Sequence, residues 1–153
     1  MQFFAGDTDR IAEALEREED YYSFAGAPWA LGYVDFSMHL GLEDLDTLTV
    51  AAADLISVPS FKFSTEIERC LIGDWSMAWS MRDTSADTVS RRWIVLMASI
   101  PATRASELAS SWFQAMKIAR EPADDVVDAI QELIALCATA KEKDASVIFE
   151  FSG

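Results

Sequence analysis

Residues 75 to 82 alternate. Trp75, Met77, Trp79 and Met81 are separated by Ser76, Ala78, Ser80 and Arg82. Successive side chains of a strand point to opposite faces, so this stretch predicts a β-strand with one apolar face. Two tryptophans and two methionines on one face make either the core of a domain or the lining of a pocket for an apolar ligand. Upstream, Phe61, Phe63, Thr65, Ile67 and Leu71 hold the same parity. They predict a partner strand, joined through a hairpin at Gly73-Asp74. A three-residue loop, Ile72-Gly73-Asp74, sets Ile67 opposite Trp79 and Leu71 opposite Trp75. A two-residue loop would set Glu68 against Trp79, so the pattern selects the longer one. Thr65 with Glu68 also fits a capping box, so a short helix over 66–72 competes with the strand.

The remaining elements follow from the same two periods. Residues 2–5 read as a strand. Asp7 offers an N-cap to a helix over 8–20 with a thin apolar stripe at Ile11, Leu15 and Tyr22. Residues 21–29, with Gly26 and Pro28, read as loop. A strand over 30–37 ends near Gly41. Leu42, Leu45, Leu48, Ala52, Leu55 and Ile56 recur at helical spacing up to Pro59. Residues 89–100 are apolar on both sides at their centre, Trp93 to Ala98, and predict a strand inside the sheet, ended by Pro101. Leu108, Trp112, Ala115, Met116 and Ala119 mark a third helix. Pro122 starts a fourth through Val126, Val127, Ile130, Leu133, Ile134 and Cys137. The chain closes on a strand over 145–151. The expected fold is α+β. It has a mostly antiparallel sheet of five to six strands, four helices packed on one face, and a single globular domain spanning 1–153.

Charge constrains function more than fold. The 153 residues carry a net charge of −14 at pH 7. Residues 1–57 hold twelve of the acidic side chains and two basic ones, Arg10 and Arg17, a net of −10; the rest of the chain carries −4. Acid gathered in one third of a chain marks a surface for a positive partner. It also disfavours contact with nucleic-acid backbones and anionic membranes. No apolar run reaches the roughly 20 residues that span a bilayer, and the N-terminal residues lack the pattern of a secretory signal. The two cysteines, Cys70 and Cys137, lie in apolar patterns and read as buried thiols of a cytoplasmic protein.

Catalytic signatures are sparse. The single histidine, His39, reads as a strand-end residue, and no G-x-S-x-G elbow, G-K-[ST] loop or G-x-G-x-x-G turn occurs. Cys and His do not cluster as a zinc site would need. Asp44 and Asp46 alternate, but Leu45 and Leu48 place them on a helix rather than in a calcium loop. No cofactor and no metal is expected.

Seven of the acids have a structural reading. Asp7, Asp9, Glu43, Asp44, Asp46, Asp124 and Asp125 fall near predicted helix starts, where the dipole and capping favour them. Glu16, Glu18, Glu19 and Asp20 fall at the end of the first helix, where the dipole opposes them, and Glu16 and Asp20 form a like-charged i,i+4 pair. Directly after come Tyr21, Tyr22, Phe24 and Trp29. Aromatic anchors beside carboxylates suit a protein interface with a charged rim, or else the aromatics fold under the domain as a mini-core. The candidate partner-binding set is Glu16, Glu18, Glu19, Asp20, Tyr21, Tyr22 and Trp29, extended by Glu43, Asp44 and Asp46. The expected function is a small acidic binding protein with no catalysis of its own. It would inhibit a basic partner enzyme as bacterial immunity proteins and antitoxins neutralise toxins, nucleases among them. Two other classes compete: a phage-type acidic mimic of nucleic acid, and an enzyme or ligand-binding domain with a Trp/Met-lined pocket.

Overall fold

The computed structural model describes residues 1–17, 21–36, 41–72 and 84–152. Elements are numbered among these residues. Five strands, β1 (Gln2–Gly6), β2 (Ala30–Asp35), β3 (Ile67–Ile72), β4 (Thr84–Val89) and β5 (Ser146–Ser152), form one sheet. Their order is β2-β1-β5-β4-β3, and every neighbouring pair is antiparallel. The helices are α1 (Thr8–Glu16), α2 (Tyr21–Phe24), α3 (Leu42–Leu55), α4 (Arg91–Ala98), α5 (Ala105–Ala115) and α6 (Asp124–Lys143). The α+β class, the antiparallel sheet and the strand count stand as expected.

Register divides the sheet into two faces. Phe3 lies opposite Val34 and Phe149, and Ala5 opposite Gly32 and Val147; all these face the larger core, which α3, α4, α5 and α6 cover. Phe3 is its hub, stacked on Trp93 with ring centroids 5.5 Å apart and edged by Phe36 and Phe63. The two core tryptophans keep their polar tips satisfied, as buried indoles must. Trp93 Nε1 donates to Thr49 Oγ1 at 3.0 Å, and Trp112 Nε1 to the Asp44 carbonyl at 2.9 Å. At Gly32 a Cβ would lie 2.6 Å from Leu136 Cδ1, so the missing side chain lets α6 settle onto β2.

The second face carries Phe4, Ala86 and Ile148, and α1 and α2 pack there through Ile11, Ala14 and Phe24. Of the four expected helices, α3, α5 and α6 cover the larger core together with α4, which was expected as a strand, while the expected first helix, α1, packs with α2 on the other face. The narrow stripe of α1 can cover only part of it.

Several boundaries differ from expectation. Residues 89–100 do not continue as a strand. Ser90 caps a helix by accepting the Trp93 N–H, and Trp93, Ile94, Leu96 and Met97 are buried while Val95 stays exposed. A short run of apolar residues fits a buried strand or a buried helix equally, and here the cap decided. Residues 63–65 form a 3₁₀ turn, so the strand begins at Ile67, which also excludes a helix over 66–72. The first helix ends at Glu16, with Arg17 as its C-cap, and the expected continuation over 18–20 lies outside the described residues. Part of the expected loop 21–29 is α2. Helix α3 stops at Leu55, before Pro59, because Ser57 takes a left-handed φ of 58° and Val58 N–H returns to the Ala53 carbonyl at 3.0 Å. The alternating Trp75–Met81 stretch, the Gly73-Asp74 hairpin and His39 lie outside the described residues.

Candidate functional site

The aromatic run after α1 separates into a buried and an exposed part. Phe24 is buried, 6.2 Å from Phe4, and the Trp29 ring stacks on it at 5.2 Å. The Trp29 backbone is fixed as well: its carbonyl accepts the Asp7 N–H at 2.9 Å. That approach needs Gly6, whose φ is 153° and whose Cβ, if present, would stand 2.1 Å from the Trp29 oxygen. Phe24 and Trp29 thus form the mini-core beneath the second face. Tyr22, two residues before Phe24, is 81% exposed. It is a large aromatic side chain held outward by a helix whose other side is anchored.

Tyr22 acts electrostatically on Tyr33 of the sheet. Gln2 lies opposite Asp35 on one side and Glu150 on the other, and Phe4 lies opposite Tyr33. Opposed residues share a face, so Tyr33, Asp35 and Glu150 stand with Gln2 on the same face as α2. The Tyr33 hydroxyl is pushed above the usual phenol range, first by burial, then by Asp35, to which it hydrogen-bonds, and further by Tyr22 and Glu150. Burial also raises the Glu150 carboxyl; the Met1 ammonium pulls it down and Asp35 pushes it up. Two phenols and two carboxylates therefore interact on one half-open surface. A shallow cleft of about 710 Å³ adjoins Trp29 and is lined by Asp7, Asp9, Pro28, Lys143 and Asp144 among others.

No protein-family model, curated protein or solved structure matches the chain.

Of the expected partner-binding set, Glu16 is exposed at the end of α1, and Tyr22 and Trp29 lie on the same side of the sheet. Tyr21 begins α2; Glu18, Glu19 and Asp20 lie outside the described residues. Glu43, Asp44 and Asp46 do not join them. They belong to α3, across the sheet, in the helix layer of the larger core. Two of the three have structural duties there. The Asp44 carboxylate accepts the Gly41 N–H at 2.8 Å at the helix start. Asp46 accepts from Ser64 N–H at 2.7 Å and from Ser64 Oγ at 3.0 Å, tying α3 to the 3₁₀ turn. Sequence reasoning missed Tyr33, Asp35 and Glu150, since nothing local marks residues that only the β2-β1-β5 register brings together.

Where the described arginines go matters as much as where the acids lie. Arg17 pairs with Glu13 within α1. Arg91 donates to the carbonyls of Ala140 and Lys141 and pairs with Asp144 at the end of α6. Arg92 lies 3.9 Å above the Phe61 ring and pairs with the buried Glu66, which also accepts from Ser90 Oγ. Arg104 grips Glu107 with two hydrogen bonds of 2.7 Å and caps α3 at the Leu55 carbonyl. Each of these four arginines makes contacts with the chain's own carboxylates or carbonyls.

Among the described residues no three His, Cys, Asp or Glu side chains converge as a metal site, and no helix is long and apolar enough to cross a membrane. Cys137 is a buried free thiol whose pKa burial drives up, which makes it a poor nucleophile.

Proposed function

We propose that this chain is a small acidic binding protein that occludes a basic partner enzyme in the cytoplasm, as an immunity protein or antitoxin occludes a toxin. The observation that carries the reading is Tyr22: an aromatic side chain 81% exposed, on a helix anchored by Phe24, and near enough to Tyr33 to act on its hydroxyl. Exposed aromatics on a rigid base are what interface anchors are made of. The net charge of −14 supplies steering toward a basic surface. The chain acts by covering its partner, with no turnover of its own.

The test is co-expression with the product of the adjacent reading frame, followed by purification of both proteins. The expected result is a stoichiometric complex, relief of any toxicity of that product, and an association rate that falls about tenfold or more from low to physiological salt. Robust turnover by this chain alone, abolished by one point substitution, overturns the reading. So does association with a basic partner that is indifferent to salt.

A further inference from the structure

We propose that the cleft beside Trp29 is a docking groove, and that its occupant is a projecting basic segment of the partner whose cation meets Asp9. This rests on the reading above and specifies where on the chain, and by what chemistry, it is realised.

Three stretches far apart in sequence line the cleft: the start of α1, the lead into β2 at Pro28 and Trp29, and the turn from α6 into β5. They are tied together before any partner arrives. The Asp7 N–H donates to the Trp29 carbonyl at 2.9 Å. Gly6 pairs with Ser146 across the sheet. Arg91 holds the end of α6 through the Ala140 and Lys141 carbonyls, and the Ala145 N–H closes the turn on the Ala140 carbonyl at 2.8 Å. The groove measures about 710 Å³ and is formed in advance, so little ordering is left for binding to supply. Its lining includes the half-buried Trp29, Leu31 and Ala145, and covering them provides the hydrophobic part of a contact.

Charge selects the occupant. Asp7, Asp9 and Asp144 line the cleft against one cation, Lys143, a net of −2. Asp7 is engaged in capping α1, and Asp144 pairs with Arg91. Asp9 is exposed and makes no hydrogen bond or ion pair among the described residues. A segment that fills the cleft strips water from Asp9, and a desolvated carboxylate without a partner is costly. A neutral or acidic segment leaves that cost standing, whereas a lysine or arginine offsets it. Lys143 opposes a basic guest and so fixes which side of the cleft its charge occupies. A second cleft, of about 380 Å³ between α3 and α5, already holds a cation of its own, Arg104, paired with Glu107.

The experiment titrates the ¹⁵N-labelled full chain with capped hexa-arginine and, beside it, capped hexa-serine. The largest shifts are expected at Gly6, Thr8, Asp9, Asp144 and Ser146 and at the Trp29 indole. The double variant Asp9→Asn, Asp144→Asn is expected to weaken hexa-arginine binding about tenfold. Asparagine tolerates the left-handed φ of 52° at position 144, and both side chains are exposed, so the fold is retained. The control Asp124→Asn, Asp125→Asn, at the other end of α6, carries the same charge change and is expected to weaken binding by no more than about twofold. Lys143→Gln is expected to tighten it about threefold, and Lys62→Gln, outside the cleft, to tighten it less. Equal losses in the two double variants, shifts centred away from the cleft, or a Lys143→Gln variant that binds no tighter than Lys62→Gln overturn the location. Hexa-serine binding as tightly as hexa-arginine overturns the basic occupant. Should Asp9→Asn weaken α1, Asp144→Asn alone carries the comparison. The two levels remain separable. If the adjacent-frame product binds the Asp9→Asn, Asp144→Asn variant as tightly as wild type, the docking groove is wrong and the inhibitor reading stands. If hexa-arginine maps to the cleft but the adjacent-frame product forms no complex, the cleft stands and the inhibitor reading falls.

Discussion

Tyr22 and Phe24 belong to one four-residue helix, yet one is 81% exposed and the other 6%. The difference lies in what stands beneath them. Phe24 meets Phe4 and Trp29, while Tyr22 projects past the edge of that cluster. The two residues should therefore separate cleanly on substitution. Tyr22→Ala is expected to change folding stability by less than about 0.5 kcal/mol, and Phe24→Ala to cost about 3 kcal/mol or more. Urea denaturation of both variants measures this. If Tyr22→Ala unfolds as readily as Phe24→Ala, the tyrosine is packed and cannot serve as an anchor. From sequence the run Tyr21, Tyr22, Phe24, Trp29 could be read as core or as interface, and it is partly each. Spacing on so short a helix does not say which ring a strand residue from elsewhere in the chain will meet.

At the scale of elements, legibility followed periodicity. The helices at 42–55, 105–115 and 124–143 and the closing strand were readable because each repeats its apolar residues over several turns or pleats. The helix at 91–98 was not, because Trp93 to Ala98 is apolar almost throughout; only Ser90, a good N-cap, hinted at it. Face assignment was half readable. The sequence shows which residues of β1 alternate, but not that α1 and α2 fold back beneath the sheet. The candidate surface was least readable of all, since Tyr33, Asp35 and Glu150 come from two strands that flank a third. What turns the chain back under the sheet is the junction of β1 and α1. Gly6 there lets the Trp29 carbonyl approach, and Asp7 then caps α1 by accepting the Arg10 N–H at 3.1 Å. Gly6→Ala forces a Cβ into that oxygen from a left-handed φ. It is expected to cost about 2 kcal/mol or more and to lower the melting temperature. It should also loosen Trp29, visible as a red shift of indole fluorescence. An unchanged melting temperature would mean that the turn is not what holds the second layer.

For the molecule as a whole, acidity sets the direction of the pH response. The raised carboxyl of Glu150 binds its proton more tightly when folded than the ordinary 4.5 of an unfolded glutamate. Its favourable contribution is thus complete below that value and is lost as pH rises through the folded pKa. Glu150→Gln should accordingly be more stable than wild type at neutral pH and indistinguishable from it below about pH 4. Denaturation midpoints across that range test the sign, with the exposed Asp124→Asn as a control for net charge. A variant less stable than wild type at neutral pH would mean that the ionised carboxylate is held by the fold. The sheet order has a different consequence, one of timing. Strands β1 and β2 pair with each other, β3 and β4 pair with each other, and only β5 joins the two ribbons. Until β5 is synthesised, none of the described strands links the β1-β2 pair to the β3-β4 pair. The last of the five strands then completes one sheet and sets Glu150 across β1 from Asp35.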